Sequence, residues 1–267
     1  MMDIPVPNSS SSPICAGRKL AVFSDFDGTL IEFRPIGMVA LAPVDQELQD
    51  LLTLLLRAME GAVAVVSGRE MSSLVRLLPP ERIPLPISGS HGAEWRLSLN
   101  QAIQCIPRAV ALDEVHLRLR QRLEHVENVF LENKDFSVAV HDLKAPLNQP
   151  ILNSLRSIAQ DLPEVATLDA QGVIEFRMRG VTKGTAVQEM MRHAPFTDRR
   201  PIFLGDDTTD LDGFAACRAM GGLAVSVGAK LKGRGDLDLA GPDEVRTWLR
   251  LLAHDPAQAL ATASIEA

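Results

Sequence analysis

Short runs of consecutive apolar residues alternate along this chain with longer stretches in which leucine recurs every three or four positions. Residues 19–26 (KLAVFSDF) suit a strand buried on both faces, as in a parallel sheet. Leu48, Leu51, Leu52 and Leu55 share one face of an amphipathic helix over 45–59. A second buried strand follows at 62–66, stopped by Ser67, Gly68 and Arg69 and succeeded by a short helix. A third begins at 87–90, before His91 and Gly92.

After Ala93 the pattern changes. Residues 94–99 alternate like a half-exposed strand, and Leu112, Val115, Leu119, Leu123 and Val126 line a helix. Strands at 129–131 and 137–141, a helix over 148–161 and strands near 165–169 and 173–178 complete an α+β stretch. From Thr182 the buried pattern returns: a helix, a strand at 201–204, a helix at 211–218, a strand at 223–227 and a last helix at 244–252. The order predicts an α/β fold with a doubly wound parallel-sheet (Rossmann-like) core, residues 19–93 and 179–253, interrupted by an α+β cap at 94–178. Residues 1–18 and 254–267 read as tails.

Composition narrows the function. Of the 267 residues 46% are hydrophobic, ample for a packed core, and no run reaches the length of a membrane span. The net charge of −7 argues against a nucleic-acid binder, which needs a basic face to displace counterions. Cys15, Cys105 and Cys217 are too few and too scattered for a disulfide framework or structural zinc site. With no secretory leader evident, a cytoplasmic location is expected.

The acids are not spread evenly. Asp25 and Asp27 stand two apart at the carboxyl end of the first strand, where open α/β sheets bind ligands. Such a pair can divide nucleophilic attack from proton transfer, with Gly28 permitting the turn and Thr29 offering a hydroxyl. Asp206, Asp207 and Asp210 follow another buried strand; acids so crowded call for a hard cation, Mg²⁺ being the natural one. Ser67 with Gly68 after the second strand, and Lys183 at a helix start, can hold phosphate oxygens.

These segments, in this order, resemble the haloacid dehalogenase-like phosphohydrolases. Finer motifs resemble the trehalose-6-phosphate phosphatases: Val66 to Arg69, Gly89 to Glu94, Leu131 to Lys134 with Ser137 to His141, Val173 to Arg177, Lys183 with Gly184, and Gly205 to Asp210. The resemblance implies a two-step transfer in which Asp25 attacks phosphorus and Asp27 protonates the leaving sugar oxygen and then activates water. Ser67 and Lys183 would hold the phosphoryl oxygens. Mg²⁺ would sit on Asp25, the Asp27 carbonyl and Asp206, with Asp207 and Asp210 in or near its surroundings. Lys134, Glu175 and Arg177 of the cap would meet the distal glucose, with His91 and Glu94 near the hinge; Arg69 would steady the cap or the Ser67 loop. His141 reads as a strand end. The substrate implied is trehalose 6-phosphate, with sucrose or glucosyl-glycerate esters as alternatives, and a silent sugar-phosphate sensor or a phosphomutase as rival classes. A functional pairing with a trehalose-6-phosphate synthase is also implied; oligomeric state is left open.

Leu211 stands where such proteins commonly carry Glu, so one polar contact is missing or falls to Asp212, and the stretch after His141 lacks a common aromatic-basic pair. Seven acids belong to the expected site or its rim: Asp25, Asp27, Glu94, Glu175, Asp206, Asp207 and Asp210. Removing seven from 34 acids leaves 27, the number of bases, so the whole excess charge is the size of this site. With no tyrosine and two tryptophans, a sugar should be held by polar groups more than by stacked rings.

Overall fold

In the computed structural model, which describes residues 19–33, 43–143, 147–170 and 172–261, the first apolar run forms β1 (Leu20–Ser24), buried at all five positions. Alternate side chains serve different cores. Leu20 and Val22 join the aliphatic cluster under α1 (Gln46–Ala58), α2 (Met71–Leu77) and α7 (Pro242–His254). Ala21 and Phe23 join a second cluster under α5 (Lys183–Met190) and α6 (Leu211–Ala219). A helix layer therefore covers each face of the sheet, which is why its strands read as unbroken apolar runs.

β2 (Val63–Val66), β3 (Ile87–Gly89), β10 (Arg200–Gly205) and β11 (Leu223–Val227) lie parallel to β1, as does the short β12 (Leu237–Leu239). The order β12-β11-β10-β1-β2-β3 shows the chain building outward one way before the insertion and the other way after it. Strand order thus reverses between β1 and β10. The expected doubly wound core is what forms, with β12 added; three residues with a central Asp are too short to register as a pattern.

Two boundaries differ from the sequence reading. The strand expected to open the cap is instead β4 (Glu94–Arg96), which pairs antiparallel with β3 and, with β5 (Gln104–Cys105), extends the core sheet. Trp95 and Leu97 alternate onto the core as the pattern predicts, but alternation does not say which sheet a strand joins. At the other end residues 256–261 form α8 (Pro256–Ala261), whose Ala259 and Leu260 are buried, with the Trp248 indole N–H donating to the Ala259 carbonyl at 3.2 Å. The C-terminal stretch is packed structure as far as residue 261. The N-terminal stretch 1–18 lies outside the described residues.

The inserted unit has its own four-stranded antiparallel sheet, in the order β6 (Val129–Asn133), β7 (Ser137–Asp142), β9 (Val173–Met178), β8 (Val165–Ala170). Val138, Val140, Ile174 and Phe176 pack beneath α3 (Ala111–Leu123), with Leu155 of α4 (Gln149–Arg156) in the same cluster. Period two puts Ser137, His141, Glu175 and Arg177 on the other face. That polar face meets the core.

Candidate active site

β1 lies between β10 and β2, with Ser24 level with Leu204 on one side and Val65 on the other. The three strands end together, and the Asp25 N–H donates to the Leu204 carbonyl at 2.9 Å. The residues just past their ends, Asp25, Asp206 and Ser67, therefore converge at the switch point of the sheet.

Lys183, the first residue of α5, is 2% exposed. Its Nζ lies 2.7 Å from Asp25 Oδ1 and 2.6 Å from Asp210 Oδ1. Burial works against that charge, but Asp210 and then Asp25 outweigh it and hold the ammonium above its ordinary pKa. Burial pushes the Asp25 carboxyl well above the usual range; Lys183 opposes the shift, and Asp210 and Asp206 add to it. Asp206 is raised to about 6, by burial and then by Asp210.

Carboxylate oxygens of Asp25, Asp206 and Asp210 lie within 4.8 Å of one another. Three carboxylates against one ammonium leave two unmatched negative charges, the charge of one divalent cation, and an all-oxygen donor set suits a hard ion. The residues fit a metal. Asp210, however, is already committed: Oδ1 accepts from Lys183, and Oδ2 from the Asp206 and Asp207 N–H groups at 3.0 and 2.9 Å. It shapes the turn, which leaves Asp25 and Asp206 the freer donors. Thr29 orients Asp206 through Oγ1 at 3.2 Å. A Cβ on Gly28 would lie 2.2 Å from Asp206 Oδ2, so only glycine admits this approach. Asp207 falls outside the cluster; Lys230 and the Thr208 hydroxyl and N–H engage its carboxylate.

Asp27 is gripped by Arg69, Nε to Oδ2 at 2.5 Å and Nη2 to Oδ1 at 2.6 Å. Arg69 thus steadies a carboxylate of the site, a bidentate role no spacing rule could show for residues 42 apart. Ser67 is buried, its Oγ accepting from the Arg69 N–H at 3.1 Å. Glu94 braces α2: its Oε1 accepts from the Ser90 hydroxyl at 2.6 Å and the Met71 N–H at 3.2 Å. Leu211 packs against the α5–α6 core and Asp212 is exposed, so the site's acidic work falls to the other carboxylates.

On the cap, the Ser137 hydroxyl donates to Glu175 Oε1 at 2.6 Å, and Lys134 Nζ lies 3.8 Å from the same oxygen and 3.3 Å from Glu132 Oε2. His141 Nε2 meets Glu132 Oε2 at 2.9 Å. Glu132 and His141 are residues that sequence reasoning passed over as site members; the signal was their shared parity with the polar face. Arg177 has one buried, unpartnered nitrogen, Nη1. From the core, His91 Nε2 approaches Glu175 Oε2 at 3.4 Å. Gly68 makes room for that imidazole, since a Cβ there would lie 2.6 Å from the ring.

Burial tends to raise the Glu175 carboxyl, yet His91, Lys134 and Ser137 together hold it well below the ordinary 4.5. The stabilisation this represents is complete above about pH 5 and is lost as pH falls toward the folded-state value. Glu175→Gln is therefore expected to cost about 1–3 kcal/mol near neutrality, shrinking in acid. Urea titrations of both proteins between pH 3 and 7 check this; a pH-independent difference would remove the electrostatic account.

The trehalose-phosphatase family model matches residues 23–242. The trehalose-6-phosphate phosphatase of Escherichia coli K12 is 38% identical over 236 residues, covering 88% of this chain and 86% of that protein. Among solved structures, the C-terminal domain of Candida albicans trehalose-6-phosphate phosphatase superposes with TM-score 0.73 at 20% identity, covering 89% of this chain and 93% of that one. A haloacid dehalogenase-like hydrolase from Bacteroides thetaiotaomicron superposes with TM-score 0.65 at 14% identity, covering 88% and 100%. With its motifs gathered at one strand-end crevice and most of its length matched, this chain belongs to the trehalose-phosphatase family.

Proposed function

We propose that the chain is a Mg²⁺-dependent phosphatase that hydrolyses trehalose 6-phosphate to trehalose and phosphate through an aspartyl-phosphate. The observation that carries the reading is the buried Lys183 set between Asp25 and Asp210 beside Asp206, beneath a cap face of Glu132, Lys134 and Glu175.

Asp25 attacks phosphorus as its bond to the sugar oxygen breaks, and Asp27 supplies the proton that the departing hydroxyl needs. Both Asp27 oxygens are held by Arg69, so Asp27 can take up and then donate a proton only once one oxygen is released from the fork as substrate enters. Asp27 then takes a proton from water as the water attacks the phosphoaspartate, freeing phosphate and Asp25. Lys183 and Ser67 hold the phosphoryl oxygens, where positioning and charge neutralisation supply most of the rate. Asp25, Asp206 and the Asp27 carbonyl would hold Mg²⁺, which when bound would supply further neutralisation of the phosphoryl charge. Asp210 keeps Lys183 and the Asp206 turn in place, and Thr29 keeps Asp206. Lys134 and Glu175, with Glu132 and Arg177, take the hydroxyls of the distal glucose. A cytoplasmic location and a partnership with the synthase that makes the ester belong to the same reading. Among the described residues no helix is long and apolar enough to cross a membrane.

Phosphate release from trehalose 6-phosphate, sucrose 6-phosphate and a glucosyl-glycerate phosphate, with Mg²⁺ and with chelator, tests this. Trehalose 6-phosphate should lead by about 100-fold in kcat/KM, the order expected when the wrong sugar leaves one or two buried polar groups unpaired, and chelation should stop turnover. Equal rates on all three would defeat the sugar assignment. Turnover without free phosphate would favour a mutase.

A further inference from the structure

We infer that His91 is the seat on which the cap closes, a positioning residue that sets Glu175 for the sugar and ties it to the phosphate loop. This rests on the proposed reading of Glu175 as a sugar contact, and it reassigns His91 from touching the sugar to acting through that carboxylate.

His91 lies in a tight turn, Ser90–Gly92, between β3 and β4. Both Ser90 and His91 adopt left-handed backbone, φ 49° and 57°, a conformation that side-chain-bearing residues resist and that persists only where the surroundings impose it. The turn is clamped on the core: the His91 N–H donates to the Ser67 carbonyl at 2.9 Å, and a Cβ on Gly92 would lie 2.8 Å from the Thr182 carbonyl. The ring itself fills the space over Gly68. It is 9% exposed, and its Nδ1 is buried with no partner.

A buried histidine ordinarily has a hydrogen-bond partner. Here the one polar side chain that the ring meets among the described residues is Glu175, carried on β9 of the cap. Burial lowers the pKa of the ring, Glu175 opposes that shift, and the cationic Lys183 from α5 and Arg177 from β9, which also face the ring, add to it. An open cap would leave this imidazole with no polar partner but water. Closure brings Glu175 Oε2 to 3.4 Å from it and sets that carboxylate among Ser137, Lys134 and His91. Because the same residue holds the Ser67 carbonyl, the sugar-reading carboxylate and the phosphate loop share one support.

His91→Ala, His91→Gln and Glu175→Gln, with the His91→Ala/Glu175→Gln double variant, test this in the full chain. In His91→Ala, kcat/KM for trehalose 6-phosphate should fall about 10- to 100-fold, the loss of one contact to a charged group, chiefly through KM. Hydrolysis of p-nitrophenyl phosphate, which has no distal sugar, should stay within about twofold. His91→Gln, still able to donate to Glu175, should recover most of the loss, and the double variant should be no worse than Glu175→Gln alone. Equal losses on both esters, or losses that multiply, would overturn the assignment in favour of a purely structural ring. If His91→Ala does not fold, His91→Asn, too short to reach Glu175, takes its place against His91→Gln. Hydrogen exchange in 173–178 without substrate should quicken when the seat is removed, and unchanged exchange would also overturn it. That readout needs no turnover, so it judges the seat even where a wild-type chain without sugar preference defeats the proposed substrate.

Discussion

Asp25→Asn is expected to abolish phosphate release, by at least about 10⁴-fold, while leaving the fold as stable as before or more so. The two halves of this expectation have one cause. Asp25 is 5% exposed and crowded by Asp206 and Asp210. Its folded-state pKa is raised, so the metal-free protein loses stability as pH climbs from about the ordinary 3.8 toward the folded-state value. An amide has the same shape and no charge, which removes that penalty, and Lys183 keeps Asp210 as its partner at 2.6 Å. It also has no oxygen able to form a phosphoaspartate. Phosphate release in Mg²⁺ and melting temperature in chelator, measured on the same preparation, check both halves. Retained activity would remove Asp25 as nucleophile. A large fall in melting temperature would mean that the Lys183–Asp25 contact, and not carboxylate crowding, dominates this site.

Lys183→Met should behave differently, losing activity and stability together. The methionine fills the volume but leaves Asp25 and Asp210 buried without their cation, and breaking a buried pair from one side typically costs about 3–5 kcal/mol. The raised Lys183 pKa means that its contribution is fully present below its ordinary 10.5 and is lost only as pH rises through the folded-state value. The stability gap between the two proteins should therefore persist from pH 6 to 9 and not narrow as pH rises, since the abandoned carboxylates must ionise without their cation. Turnover should fall at least about 10³-fold, since a fixed charge on the phosphoryl oxygens is gone. Urea unfolding with a parallel phosphate assay decides it. An unchanged unfolding midpoint would show that the triad does not depend on Lys183.

Much of this site is legible in the sequence, because the fold places chemistry at strand ends and strand ends are visible in the hydrophobic pattern. Asp25 and Asp27 follow one apolar run, Ser67 the second and Asp206 another. A parallel sheet brings all of those ends to one edge whatever the loops between them do. Elements whose signal is weak or ambiguous were harder. β12 is too short to show a period, α8 is made of small residues that any tail could carry, and β4 alternates equally well for either sheet.

Side-chain partnerships are a different matter. Seven acids accounted for the whole excess charge, and all seven read alike in the sequence. Folding gives them separate fates: Asp27 goes to Arg69, Asp207 to Lys230, Glu94 to the Ser90 turn, Glu175 to the cap contacts, and Asp210 to Lys183 and two amides. What remains is Asp206 together with an Asp25 that shares Lys183 with Asp210, two negative charges in excess and the charge of one divalent ion, so the metal site is smaller than the charge count suggested.

By itself, then, the sequence determined the two-sided sheet, the inserted cap and the chemical groups at each strand end, since burial direction and residue type are local properties of the chain. Only the tertiary structure decided which acid is free and which is spent, and that His91 reaches across to Glu175. Those outcomes depend on register and packing between residues as far as 158 positions apart, as Asp25 and Lys183 are, and hydrophobic periodicity says which way a side chain points but not what it will meet.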